Sequence, residues 1–209
     1  MTPFAHAHVD RFTIRQRVRM VGNRYEVRVA GPDDEEGELA AFVQQKTFAL
    51  KEDLRFFGDQ EKATELFRLK AKKRFDPAAR YFVTDAEGTA IGELAKAFKR
   101  SLARSTWRVY GPGGEQEFMW ATERSLIRSV LRRLLSLAGL IPIVGEIIGL
   151  IPIRYHFDFF ADDRNVGSFE RRFGLRDRYI LDLSADPERR IDRRVAIALA
   201  VAMDALQAR

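Results

Sequence analysis

The chain has 209 residues, 46% of them apolar and 32% charged, which gives length for one sizeable core and excludes a disordered or fibrous protein. It has no cysteine, so disulfides, thiolate nucleophiles and thiolate metal sites are excluded. A net charge of +6, carried by 28 Arg against 8 Lys, suits anionic partners such as phosphate or lipid head groups, and equally fits plain solubility with an arginine-rich composition.

Residues 1–10 read as a flexible tail in which His6 and His8 alternate, as at a weak metal site; such a pair on a tail is more often incidental. The stretch has no apolar core of a secretory signal, so a cytoplasmic protein is expected. Residues 11–20 (RFTIRQRVRM) alternate: Phe12, Ile14, Val18 and Met20 share one face, and Thr13, Arg15, Arg17 and Arg19 the other. That is a half-buried strand with a basic outer face. A unit then recurs, in which a short strand opening on a large apolar residue meets a polar turn and a return strand with alternating charge. Its starts are Tyr25, Leu54, Tyr81, Trp107, Tyr155 and Tyr179, at gaps of 29, 27, 26, 48 and 24 residues. One β-hairpin takes about that length.

The long gap holds an insertion at 125–153. Its first part has helical period, with Leu126, Ile127, Val130, Leu131, Leu134 and Leu135 on one side and Arg128, Arg132 and Arg133 on the other. Its second part repeats Leu-Ile-Pro-Ile, and Pro and Gly there argue against a continuous spanning helix. A basic amphipathic helix beside an apolar loop suits docking on a membrane surface; folding back as a lid over a barrel mouth and contact with a protein partner or a second copy are the alternatives.

The chain closes on a predicted helix at 187–207. Asp186 reads as its cap and Pro187 as its first residue, with Arg189, Arg190, Arg193 and Arg194 as a charged neck. Residues 195–203 then carry no polar side chain. A helix apolar all round must be surrounded on every face, and nine residues are too few for a bilayer, which needs ~20. About twelve short strands and one such helix leave an economical solution: a mainly β, closed antiparallel barrel of six hairpins at 11–209, with the helix through its bore.

The hairpin pattern, best seen at 81–94 (YFVTDAEGTAIGEL) and in the closing run 179–204, resembles the Tubby C-terminal-like superfamily, and within it the LURP-one-related and phospholipid-scramblase branch. The resemblance implies a twelve-stranded barrel around a C-terminal hydrophobic helix. It also implies association with membrane phospholipids or phosphoinositides. A cytoplasmic protein, peripheral at the inner face of the membrane, is expected. Scramblase-like members carry an acidic calcium segment before the helix; here Asp182, Asp186, Glu188 and Asp192 stand in that place, but four arginines interleave, so no metal site is expected.

No catalytic constellation is legible, and no cofactor is implied. His156 sits at an ordinary strand position, the run Gly111-Pro-Gly-Gly lacks the spacing and the lysine of a phosphate loop, and Asp162 and Asp163 fit a turn. A non-enzymatic module without a deep cleft is therefore expected. The candidate lipid-binding residues are Arg128, Arg132, Arg133, Leu126, Leu131 and Leu134 of the insertion, with Lys70, Lys72 and Lys73 as a second basic group. That group would lie near Lys96, Lys99 and Arg100 if adjacent hairpins pair. A nucleic-acid partner is disfavoured, because most aromatics occupy strand starts that should face inward.

Overall fold

The alternation read from the sequence becomes twelve strands in a computed structural model that describes residues 4–17, 24–44, 53–71, 80–97, 105–124, 156–172 and 178–206. They are β1 (Arg11–Arg17), β2 (Arg24–Ala30), β3 (Glu36–Gln44), β4 (Asp53–Phe57), β5 (Glu65–Ala71), β6 (Arg80–Asp85), β7 (Ala90–Ala97), β8 (Thr106–Tyr110), β9 (Glu117–Glu123), β10 (His156–Ala161), β11 (Arg164–Arg172) and β12 (Arg178–Asp182). Every even-numbered strand begins within one residue of a start read from the sequence. Each strand pairs antiparallel with its neighbour in the chain, and β1 pairs with both β2 and β12, so the sheet closes and has no free edge. Phe12 stands opposite both Val29 and Leu181 at this seam.

The inward row of every strand is large and apolar, and it surrounds the terminal helix α1 (Arg193–Ala205). All nine residues from 195 to 203 are at most 1% exposed. The bore is tight: a Cβ on Gly92 of β7 would lie 3.1 Å from Val195 Cγ2, so the wall drops its side chain where the helix passes. Phe56 and Phe67 stack with centroids 4.2 Å apart, and Phe4, ahead of β1, packs edge-on against Phe67.

The helix begins later than the sequence suggests. Asp186 and Pro187 do not start it; Asp192 is the cap, accepting from the Arg194 amide at 2.8 Å. The reason is that Asp186 spends its carboxylate on a turn, accepting from the amides of Arg190 at 3.0 Å and Ile191 at 3.2 Å, while Arg189 takes a left-handed φ of 51°. An aspartate followed by proline serves such a turn as well as a helix cap.

Strand direction gives the barrel two distinct rims. The hairpin turns β2–β3, β4–β5, β6–β7, β8–β9 and β10–β11 lie at one rim, with the N-terminus of α1. At the opposite rim odd strands end, even strands begin, and the helix ends: Asp204 accepts hydrogen bonds from Tyr25 Oη at 2.9 Å and from Tyr179 Oη. The insertion at 125–153 lies outside the described residues.

Gly167 of β11 closely approaches the end of β12. A Cβ there would sit 2.5 Å from the Asp182 carbonyl oxygen and 2.9 Å from Leu183 Cδ2. Backbone cannot yield as a side-chain tip can, so Gly167→Ala is expected to cost ~1–3 kcal/mol and lower the melting temperature by several degrees in thermal denaturation followed by circular dichroism. An unchanged midpoint would show the seam to be slack.

Candidate functional site

Of the nine lipid-binding candidates, Lys70 alone lies within the described residues. Arg128, Arg132, Arg133, Leu126, Leu131, Leu134, Lys72 and Lys73 fall outside them. Lys70 is exposed on the outer wall, one residue before β5 ends at the helix C-terminal rim. Across the strands it faces Asp53 and Phe82. Burial tends to raise the Asp53 pKa, but the Arg68 hydrogen bond and charge, with Arg55 and Lys70 adding theirs, hold that carboxyl below its ordinary value. The positive charge near Lys70 is thus partly neutralised within its own sheet.

The structure does not join Lys70 to Lys96. Adjacent hairpins do pair, but β6 separates β5 from β7, and register puts the two lysines on opposite faces. Lys96 stands opposite Trp107, on the inner side, with its ammonium 6.0 Å from that ring's centre. Counting one residue too few or too many along a strand moves a side chain through the wall.

At the other rim the supposed charged neck divides. Arg189 and Arg190 are partly exposed, whereas Arg193 has a side chain only 1% exposed and is paired with an equally buried Asp186, Nη1 to Oδ2, at 2.8 Å. Beside it opens a cleft of about 540 Å³, floored by Phe4, Leu66 and Ile191 and edged by Asp85, Glu87 and Arg189. The cleft lies at the mouth of the barrel and not in the bore, because a helix fills a tube but leaves its mouth open. Several of the cleft's polar groups are committed: Asp85 accepts from the Thr89 amide at 2.7 Å, and Arg194 is paired with Asp192 at 2.7 Å. The Arg194 pKa is raised, chiefly by the Asp192 hydrogen bond, against burial and with the charges of Asp192, Asp85 and Glu87. A guanidinium held charged binds anions and does not exchange protons near neutrality.

Three of the four acids before α1 are likewise engaged. Asp186 takes two amides and Arg193; Asp182 accepts from the Ser184 amide at 2.9 Å and is ion-paired with Arg11, whose Nε lies 3.1 Å away; Asp192 caps the helix. Among the described residues no three His, Asp or Glu side chains are disposed to hold a metal. His156 lies on the outer wall, its Nδ1 3.9 Å from Glu170. No described helix is long and apolar enough to cross a membrane.

These features define a helix-filled, twelve-stranded antiparallel barrel, the fold of the Tubby C-terminal-like superfamily. The chain belongs to the LURP-one-related family: the sequence model of that family matches it from residue 39 to residue 204, well over half its length. Barrels of this family are in general not enzymes. No curated protein and no solved structure matches the chain.

Two functional features escaped sequence reading. Arg193 looked like one member of a charged neck, and the only signal for its burial was its place two residues before the apolar run. Arg178, described below, looked like the ordinary charged start of a strand.

Proposed function

We propose that this LURP-one-related barrel is a non-catalytic module that binds anionic phospholipid at a membrane surface, peripheral to its inner face, with scramblase-like lipid contact as the finer form. One observation carries this reading. The exposed Lys70 stands at the rim where β5, β7 and β9 all end, so the chain leaves for 72–79, for 98–104 and for 125–155 from one side of the barrel. In sequence those segments carry Lys72, Lys73, Lys99 and Arg100 and the arginines and leucines of the insertion, and this reading brings them to one membrane-facing surface. Each basic residue near an anionic leaflet contributes ~1 kcal/mol, so several tethered together are needed for useful binding.

The test is co-sedimentation with phosphatidylcholine vesicles with and without phosphatidylserine. Arg128, Arg132 and Arg133 all changed to Glu should abolish sedimentation with the anionic vesicles and leave the melting temperature nearly unchanged. Normal binding by the triple variant would remove the electrostatic part. If Leu131→Asp and Leu134→Asp destabilise the protein with no lipid present, the insertion is a lid and the barrel a protein-interaction scaffold. If those two changes instead alter the oligomeric state, it is a dimer contact.

A further inference from the structure

On the outer wall at the seam, three arginines stand in one register row. Arg172 of β11 faces Arg178 of β12, which faces Arg15 of β1. Like charges directly opposite one another across strands repel, so such a row calls for counter-charge. The end of the β2–β3 hairpin supplies part of it. Irregular pairing between β2 and β3 bends this hairpin, and Asp33 and Asp34 in its turn take left-handed φ values of 55° and 63°. The turn thereby lies across the seam as a strap. Asp34 meets Arg11 Nη2 at 2.5 Å and Arg172 Nη2 at 3.0 Å, and Glu36 meets Arg15 Nη2 at 2.6 Å. A strap in this place accounts for Thr13 and Ile180, which point outward yet are 1% and 3% exposed.

The central arginine receives nothing. Arg178 Nε and Nη2 are shut off from solvent, and among the described residues no acceptor reaches them; Arg15 Nε is in the same state. Nε and Nη2 form the side-on edge of a guanidinium, the edge that grips two oxygens of a carboxylate or phosphate. Unpaired buried donors on a charged group are costly, and a fixed edge flanked by two more arginines fits a tetrahedral oxyanion better than a single carboxylate. The next acid along the row, Glu26, is engaged by Arg17 at 3.0 Å and Arg28 at 3.3 Å.

We propose that Arg178, with Arg15 and Arg172, forms a phosphate-monoester site on the outer wall, and that Asp34 and Glu36 of the strap are its built-in competitors. The anion enters from the side of Arg172, whose side chain is 48% exposed, and displaces strap carboxylates as it binds. The site shares no residue with the lipid-binding set proposed above, although Arg172 ends β11 and Arg178 begins β12 at the same rim of the barrel.

The strap gives the proposal a signature that a structural arginine lacks: removing an acid should tighten binding. Inorganic phosphate, compared with chloride at equal ionic strength and without vesicles, should raise the melting temperature of the full chain, because a ligand of the native state stabilises it by mass action. Glu36→Gln should enlarge that shift. Arg178→Gln should abolish it, with affinity down about tenfold or more. Should Arg178→Gln fail to fold, Arg178→Lys keeps the charge without the side-on edge and should weaken the phosphate response. Vesicles containing phosphatidic acid, against vesicles containing phosphatidylserine, separate the sources. Binding to the first alone that depends on Arg178 assigns the monoester to a lipid head group; a phosphate response with both vesicles inert assigns it to a soluble compound. An equal phosphate response in wild type and Arg178→Gln, a smaller one in Glu36→Gln, or no response to phosphate or to phosphatidic acid overturns the proposal.

Discussion

Ala198→Arg is expected to leave no folded protein. Ala198 sits in the middle of α1 at 0% exposure, and the residues before and after it, from 195 to 203, are buried on every face. A guanidinium there cannot reach either rim, since the helix extends at least five residues beyond it in both directions. An ion moved from water into such a bore without a partner costs more than the ~5–15 kcal/mol that holds a domain together. The bore also lacks room, as the 3.1 Å approach between Val195 and the position of a Gly92 Cβ shows. Ala198→Leu separates the two causes: without charge, overpacking alone should cost ~1–3 kcal/mol and leave a cooperative but lower melt. Soluble yield and circular dichroism melting curves report both. A wild-type-like melt of Ala198→Arg would mean that the helix lies outside the barrel in solution.

The barrel was legible because its signals are local and repeated. Each large residue that opens an even strand (Tyr25, Leu54, Tyr81, Trp107, Tyr179) faces the bore and is buried, so one aromatic or leucine marks both the strand and its inward register. The helix declared itself by lacking polar residues on every side. Its true start was not legible. Asp186-Pro187 and Asp192 both satisfy the rules for a helix cap, and the choice between them is made by Arg193, whose five donors draw Asp186 into a turn. Nothing in the sequence order says that these two residues meet.

The candidate site was less legible, for a related reason. Outward charges alternate along every strand, so Lys70, Arg15, Arg172 and Arg178 look alike in sequence. What distinguishes them is cross-strand register and what lies above the wall. Lys70 faces an aspartate already shared with Arg68; Arg178 faces two other arginines beneath a strap from β2–β3, over a hundred residues earlier in the chain. Long-range register of this kind has no signature in a single strand. Nor could the sequence separate Lys96 from Lys70, because a strand position faces in or out according to a count that begins at an unknown pairing.

Breaking the pair between Arg193 and Asp186 is expected to have the second largest effect. All five donors of the Arg193 guanidinium are satisfied. Nε donates to the Val9 carbonyl at 3.2 Å; Nη1 donates to Asp186 Oδ2 at 2.8 Å and the Ile191 carbonyl at 3.1 Å; Nη2 donates to Asp10 Oδ1 at 2.6 Å and the Asp186 carbonyl at 3.4 Å. One side chain thus ties the entry to β1, the turn after β12 and the first residue of α1. Both side chains are 1% exposed, so removing Arg193 strands the Asp186 carboxylate, and a buried charge without its counter-ion costs ~3–5 kcal/mol, while removing Asp186 leaves Arg193 only the half-exposed Asp10. Asp186→Ala should be the worse single change, since the carboxylate also holds the amides of Arg190 and Ile191. Arg193→Lys should recover only part of the stability, because a lysine offers three donors from one point where five are used in a plane. The double variant Asp186→Ala with Arg193→Met is the decisive measurement. Taking away the second charge removes the stranded one, so the double should be less destabilised than the two singles added together, by more than the ~0.5 kcal/mol within which independent sites add. Chemical denaturation of the four proteins gives the cycle. Strict additivity would show that the pair contributes through packing alone, and that the helix entrance is held by the apolar contacts of Ile191 and Val195 rather than by its ions.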